Sequence, residues 1–321
     1  MPKNLALLIS TCFLLKQLSA QSPVADSNYI KPFAKTNYVE LYSGLYGSAY
    51  RFRNNNTRES NYQLRLNSCA YLGAVISYKW LYVEYSFNIP GTKLDNNARF
   101  KYRQVKLRLG NRKMIYQPFF SYYNGLLVPK HDRGSFDQFQ GLRFMNAGME
   151  VLYYFNPTQY SPKSANAFSE KQQRSVGSPI ITATAMWDKT KWPSPSRDLI
   201  RDPQTYDLLA SNPEWLSLIV KGGYAYNFVK KKWLIAPVAY IGAGMLRENT
   251  TGSPSYRAVT QVKGVINAGY NGDKYYMYVC TVADNLSSRL LVKNVQRFSW
   301  NMFFNIGYRF KASRKKRDKA P

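Results

Sequence analysis

Taken two residues at a time, much of this chain sorts apolar and polar side chains onto opposite faces. From Trp80 to Ile89, Leu81, Val83, Tyr85, Phe87 and Ile89 share one face, with Glu84, Ser86 and Asn88 opposite. From Phe144 to Phe155, Met145, Ala147, Met149, Val151, Tyr153 and Phe155 oppose Asn146, Gly148 and Glu150. Between Leu216 and Phe228 the apolar face is Leu216, Leu218, Val220, Tyr224, Tyr226 and Phe228, and Ser217, Lys221 and Asn227 face back. The segment FSWNMFFNIGYRF (298–310) does the same: Phe298, Trp300, Met302, Phe304, Ile306, Tyr308 and Phe310 against the mostly small or polar Ser299, Asn301, Phe303, Asn305, Gly307 and Arg309. Period 2 held for about ten residues predicts strands long enough to cross a bilayer when tilted.

Further strands are expected near 37–53, 61–78, 100–109, 113–127, 176–187, 232–247, 257–270 and 274–284. The total is about twelve, an even number, as in bacterial single-chain outer-membrane barrels. Connection lengths agree with that reading. From a periplasmic N-terminus, the outside loops are NNNTRES, PGTKLDNNAR, 128–141, 188–215, 248–256 and 285–294, all long and polar. The alternate connections, Lys79-Trp80, GNRK, VKKK and NGDK, are tight. Asn156 to Arg174 breaks the rule, being far too long for a periplasmic turn. The expected fold is an all-β, transmembrane, antiparallel up-and-down β-barrel over residues 37–310, preceded by a periplasmic segment at 21–36.

Composition adds the compartment. Lys3, the apolar run Leu5 to Leu15 and the small residues Ser19-Ala20 form a signal peptide over residues 1–20, so the chain is exported. No later stretch is apolar enough for a helical span. The formal net charge is +27, or +25 once Lys3 and Lys16 leave with the leader. In an exported chain this excess points to lipopolysaccharide phosphates, acidic glycans or anionic solutes rather than nucleic acid. The mature chain keeps Cys69 and Cys280, far apart and without metal-ligand spacing, so neither a bridge nor a metal or cofactor is expected. The basic run 311–321, KASRKKRDKAP, is expected to be a solvated tail.

AVISYKWLYVEYSFNIPG (74–91), Phe100-Lys101-Tyr102, YYFNP (153–157) and FSEKQQRSVGS (168–178) together resemble the exported domain of unknown function 4421 family of Gram-negative bacteria. That resemblance implies an outer-membrane-type barrel and supplies no activity or catalytic residues. Its second motif falls within the over-long connection, which points to a structured plug or constriction there.

Candidate chemistry is sparse. His131, beside Asp132 and near Ser135, is the one arrangement from which a lipid-modifying enzyme could be built. It lies in a polar loop without a nucleophile elbow, and no enzymatic activity is expected. Parity instead points Glu84, Lys106, Arg108, Glu150, Lys221, Arg297 and Arg309 into the barrel, with Glu84 expected to reach Lys106 or Arg108 from the neighbouring strand. Buried charges persist only when paired or hydrated. They therefore mark either an interior ladder of ion pairs or a narrow channel or solute-binding lumen that prefers anions. The other reading is a plugged barrel whose outer loops, chiefly 188–215, bind a partner or glycan. Tyr308 and Phe310, spaced by two near the end of the last strand, resemble the signal read by the β-barrel assembly machinery.

Overall fold

A computed structural model describes residues 23–54, 62–78, 81–98, 100–130, 135–195, 197–200, 202–249, 255–291 and 293–311, except for the side chains at 54, 81–84, 140, 199 and 255. The expected signal peptide, His131 and residues 312–321 of the expected basic tail lie outside the described residues. The strands in chain order are β1 (Ile30–Pro32), β2 (Asn37–Asn54), β3 (Tyr62–Leu66), β4 (Ala70–Tyr78), β5 (Leu81–Asn88), β6 (Lys101–Lys106), β7 (Leu109–Gly110) and β8 (Met114–Pro129). There follow β9 (Phe136–Tyr154), β10 (Glu170–Gln172), β11 (Val176–Lys191), β12 (Glu214–Lys230), β13 (Trp233–Glu248), β14 (Ser255–Asn271), β15 (Tyr275–Arg289) and β16 (Lys293–Phe310). Helix α1 (Pro162–Ala167) lies between β9 and β10, and α2 (Pro203–Ala210) between β11 and β12.

Ten strands close a ring. From β16 the order runs β15, β14, β13, β12, β11, β9, β8, β3 and β2, and β2 returns to β16 in antiparallel register from Lys293 opposite Asn54 to Phe310 opposite Asn37. This revises the expected twelve. The segment 61–78 does not run as one strand: it breaks between β3 and β4, where Asn67 Nδ2 donates to the Asp95 carbonyl (2.8 Å) and the Asp95 N–H donates to Asn67 Oδ1 (3.1 Å). Above the break β3 bridges β2 and β8. Below it β4 follows β2 and carries β5, while β6 and β7 follow β8. Residues 80–89 and 100–109 therefore flank the ring as separate edges.

The wall meets lipid on its outer face. In β16, Phe298, Trp300, Met302, Phe304 and Ile306 are exposed, as are Leu216, Leu218, Val220 and Phe228 of β12. So large an apolar belt on a closed barrel is stable only against hydrocarbon. At the end that carries the short turns, aromatic residues pair along the rim: Tyr275 with Tyr308 at 5.2 Å, Trp233 with Tyr270 at 5.7 Å and Tyr78 with Phe310 at 6.3 Å. Aromatic rings gather at membrane interfaces, and Tyr308 and Phe310 stand in the aromatic rim at the short-turn end.

Candidate functional site

Inward residues divide the interior into three layers. At the periplasmic end the connection from β9 to β11 folds back into the barrel. Ser161 caps α1, accepting from the Ser164 N–H (3.0 Å), Pro162 supplies the preset first turn, and Phe168 ends the helix in a left-handed conformation at φ 50°. Tyr160, Ala165 and Phe168 are buried against the inward faces of Leu152, Ile180, Leu234 and Tyr278, and the rings of Phe168 and Tyr278 stack at 4.4 Å. The strand β10 pairs with β1, so the N-terminal segment is stitched to this plug. Glu170 takes both nitrogens of an Arg112 fork, at 3.1 and 2.9 Å, and accepts from Ser161 Oγ at 2.6 Å. Arg309, only 2% exposed, donates to the carbonyls of Phe168 and Gly272, with its guanidinium 3.8 Å from the Phe33 ring centre. In the resemblance segment FSEKQQRSVGS, Glu170 and Gln172 thus latch the plug to the wall: Gln172 Oε1 accepts from Asn227 Nδ2 (3.1 Å) and the Ser161 N–H (3.0 Å).

The extracellular mouth is filled from the other side. Trp192, Ile200, Leu208 and Leu209 of the 192–213 loop are buried beside Phe139, Phe144, Leu246 and Val295. Asp202 caps α2 through the Thr205 N–H (3.2 Å) and meets Lys293 Nζ at 2.5 Å. Its partial burial works against ionisation, but the Lys293 and Thr205 hydrogen bonds outweigh that and hold its carboxyl below the usual range.

Between these apolar fillings lies a charged layer. Lys221, fully buried, donates to Glu150 Oε1 (2.6 Å), Gln261 Oε1 (2.9 Å) and Thr184 Oγ1 (3.0 Å). Lys263 takes the other Glu150 oxygen at 3.1 Å, and Gln261 donates to Asp284 at 2.8 Å. Arg297 lies 3.8 Å from Asp188, which also accepts from Asn146 Nδ2 at 2.8 Å. Each carboxylate here already serves a cation or an amide.

Lys106 and Arg108 are different. Their strand register puts them on the side of β8 that carries Gln117 and Ser121, both buried in the lumen, and Lys106 shares its electrostatic surroundings with Lys263, Glu150 and Asp284. Yet both are exposed, and among the described residues no carboxylate comes within 4 Å of either. With its amide turned, Gln117 accepts from Arg108 at 2.8 and 2.9 Å. The outer edge of β6 has no partner strand among the described residues, and neither has that of β5. The expected pairing of Glu84 with these cations has no strand pairing to support it; Glu84 stands opposite Val75 on β4, and its side chain is outside the described residues.

Parity reasoning missed Lys263, Gln261, Asp284 and Asp188. In β14 the inward set includes Val259 and Val265 as well as Gln261 and Lys263, which flattens the alternation. Cys69 and Cys280 are both free and buried. Among the described residues no three His, Cys, Asp or Glu side chains gather as a metal site. The Ser135 carbonyl accepts from the Lys130 N–H (3.1 Å).

The family model Domain of unknown function (DUF4421) matches residues 24–310. Comparison with curated proteins finds no match. Similar solved structures include the outer membrane protease OmpT from Escherichia coli, at 8% identity and TM-score 0.37, covering 88% of this chain and 100% of that one. The beta domain of the Bordetella autotransporter BrkA is similar at 10% identity and TM-score 0.41, over 85% and 99% of the two chains. The COG4313 outer membrane channel from Pseudomonas putida F1 is similar at 10% and 0.34, over 89% and 100%.

Proposed function

Because the chain belongs to the DUF4421 family, a family defined by its sequence rather than by an activity, we propose a function from the interior itself: a solute-binding barrel that holds an anionic group at Lys106 and Arg108, rather than an open pore. The observation that carries this is an imbalance. Among the described side chains, Lys106, Arg108, Lys221, Lys263 and Arg297 share the mid-barrel layer with Glu150, Asp188 and Asp284, and these three carboxylates are engaged by Lys221, Lys263, Arg297, Asn146 and Gln261. Two cations facing a wet, low-dielectric cleft attract an anion far more strongly than the same pair on an open surface. Arg108 adds a planar fork suited to phosphate or carboxylate, and Lys106 a point charge beside it.

Both mouths are filled by apolar packing, which speaks against continuous ion flow along the axis. The outer-loop reading is weaker on the same ground, since the largest outer loop spends its apolar residues inside the mouth. The test pairs two measurements on the protein in neutral detergent or planar bilayers. No stepwise conductance is expected. Phosphate-bearing probes, inorganic phosphate and dodecyl phosphate among them, are screened for stabilisation of the fold, which at a hundredfold excess over Kd amounts to about 2.7 kcal/mol. The Lys106→Gln, Arg108→Gln double variant should lose that stabilisation. Stepwise anion-selective current, or no stabilisation by any probe, would defeat the reading.

A further inference from the structure

We infer that the anionic group enters sideways, as the headgroup of an anionic glycerophospholipid from the periplasmic leaflet, through the seam between β5 and β6. This rests on the anion-binding reading above and adds to it the ligand class and its route.

Four observations converge. Among the described residues the facing edges of β5 and β6 have no partner strand, so the wall is interrupted below β3. Bare strand edges at membrane depth are tolerated only where they line protein or a wet cavity. Both faces are exposed along Tyr85–Asn88 and along Gln104–Gly110, as expected of strands that border an opening rather than complete a wall. The lips are apolar: Tyr85 is 71% exposed, Val105 56% and Leu107 51%, and all three alternate with the polar positions. Behind them stand Lys106 and Arg108. Axial entry is closed at both ends by the buried plugs, leaving the seam as the approach to the charged layer.

Depth selects the lipid. Lys106 sits five residues from Asn111 in the periplasmic turn, a rise of roughly 12 Å for a tilted strand, in a hydrocarbon band about 25 Å tall. Arg108 is lower still. Both cations therefore face the periplasmic half of the bilayer, where a phosphodiester can swing into the seam while its acyl chains stay against Tyr85, Val105 and Leu107. A water-soluble anion gains nothing from those apolar lips.

The experiment reconstitutes the protein in phosphatidylcholine nanodiscs doped with phosphatidylglycerol and counts lipids retained on release, by native mass spectrometry. In parallel, calorimetry measures binding of glycerol 3-phosphate, the headgroup fragment without tails. Retained phosphatidylglycerol should exceed phosphatidylcholine and fall about tenfold in the Lys106→Gln, Arg108→Gln variant. It should survive in Lys106→Arg, Arg108→Lys, which keeps both charges; heat-modified migration on gels verifies folding of each. If glycerol 3-phosphate binds through the two cations while the lipid shows no preference, the lateral route is overturned and the anion site stands. If neither binds, both inferences fall. If the lipid preference persists in the neutral variant, the site is elsewhere and this inference is wrong.

Discussion

Removing the carboxylate of Glu150 tests whether the mid-barrel layer is a coupled unit. In Glu150→Gln the shape is kept but Lys221, at 0% exposure, loses its only carboxylate within 4 Å among the described residues, and Lys263 loses one as well. Breaking a buried pair from one side typically costs 3–5 kcal/mol. Lys221 retains Thr184 and Gln261 as acceptors, so the expected cost lies near the lower end, about 3 kcal/mol. The second arm removes the cation too. Glu150→Gln combined with Lys221→Met leaves no charge stranded at that position, and replacement of a buried pair by neutral residues is often close to neutral. Most of the loss should therefore return, giving a favourable coupling of about 2 kcal/mol between the two substitutions. The assay is reversible urea unfolding in vesicles, followed by tryptophan fluorescence. A single-variant loss below about 1 kcal/mol, or a double variant no better than the single one, would refute the argument that this pair is desolvated and coupled.

Other consequences are as direct. A Cβ at Gly307 would fall onto the Tyr276 ring, whose hydroxyl donates to Glu40; Gly307→Ala should cost about 1–3 kcal/mol by overpacking, read in the same unfolding assay. Arg309→Lys keeps charge but loses the fork that spans Phe168, Gly272 and Asn271, so protease should cut the 156–174 segment faster than in the parent while the strands remain protected. The Asp202 carboxyl is held low in the folded state, so its contribution is present above the ordinary aspartate value near 4 and fades as pH falls through the lower folded value. Amide exchange in α2 should accelerate under acid, and Asp202→Asn should remove that acid dependence.

How much of this was legible depended on where along the barrel a residue sits. FSWNMFFNIGYRF was readable because its inward positions Ser299, Asn301, Asn305 and Gly307 are small or polar, Phe303 being the exception, while Trp300, Met302 and Ile306 lie outside. Toward each mouth that contrast disappears. The plugs make the interior apolar, and Val259, Leu246 and Leu286 face inward as surely as Val262 faces lipid. Lys263 and Asp284 were hidden by that loss of contrast, because a parity argument needs a polar interior. The over-long connection announced a plug through its length, but its latches, Arg112 to Glu170 and Asn227 to Gln172, join segments 55 or more residues apart and leave no local signal. The break at Asn67-Ser68 does carry a local cue, two turn-forming residues inside a strand pattern. What no pattern carries is the choice of partner: β5 and β6 are adjacent in the chain with strand-like sequences, and only the way β3 closes the ring above them leaves their edges apart.

That separation bears on why the middle of the barrel is charged at all. A buried ion pair is weak evidence for stability, since a well-packed apolar filling of equal volume would hold the wall at least as well. The chain already uses such filling at both ends, with Phe139, Trp192 and Leu209 above and Leu152, Tyr160 and Phe168 below. The charged layer at the depth of the seam, where Lys221 and Glu150 are buried, is thus a costly choice. It also stands behind the one interruption of the ring among the described strands. Were the layer merely packing, neutral substitution of Lys106 and Arg108, which lack carboxylate partners, should leave stability unchanged and ligand retention unchanged too. On the reading argued here the first holds and the second does not. Unfolding free energy should move by less than about 0.5 kcal/mol, the ordinary range for exposed side chains, while retention of the anionic lipid falls about tenfold. Unchanged retention, whether or not stability falls, would return these two residues to the architecture and leave the barrel without a site there.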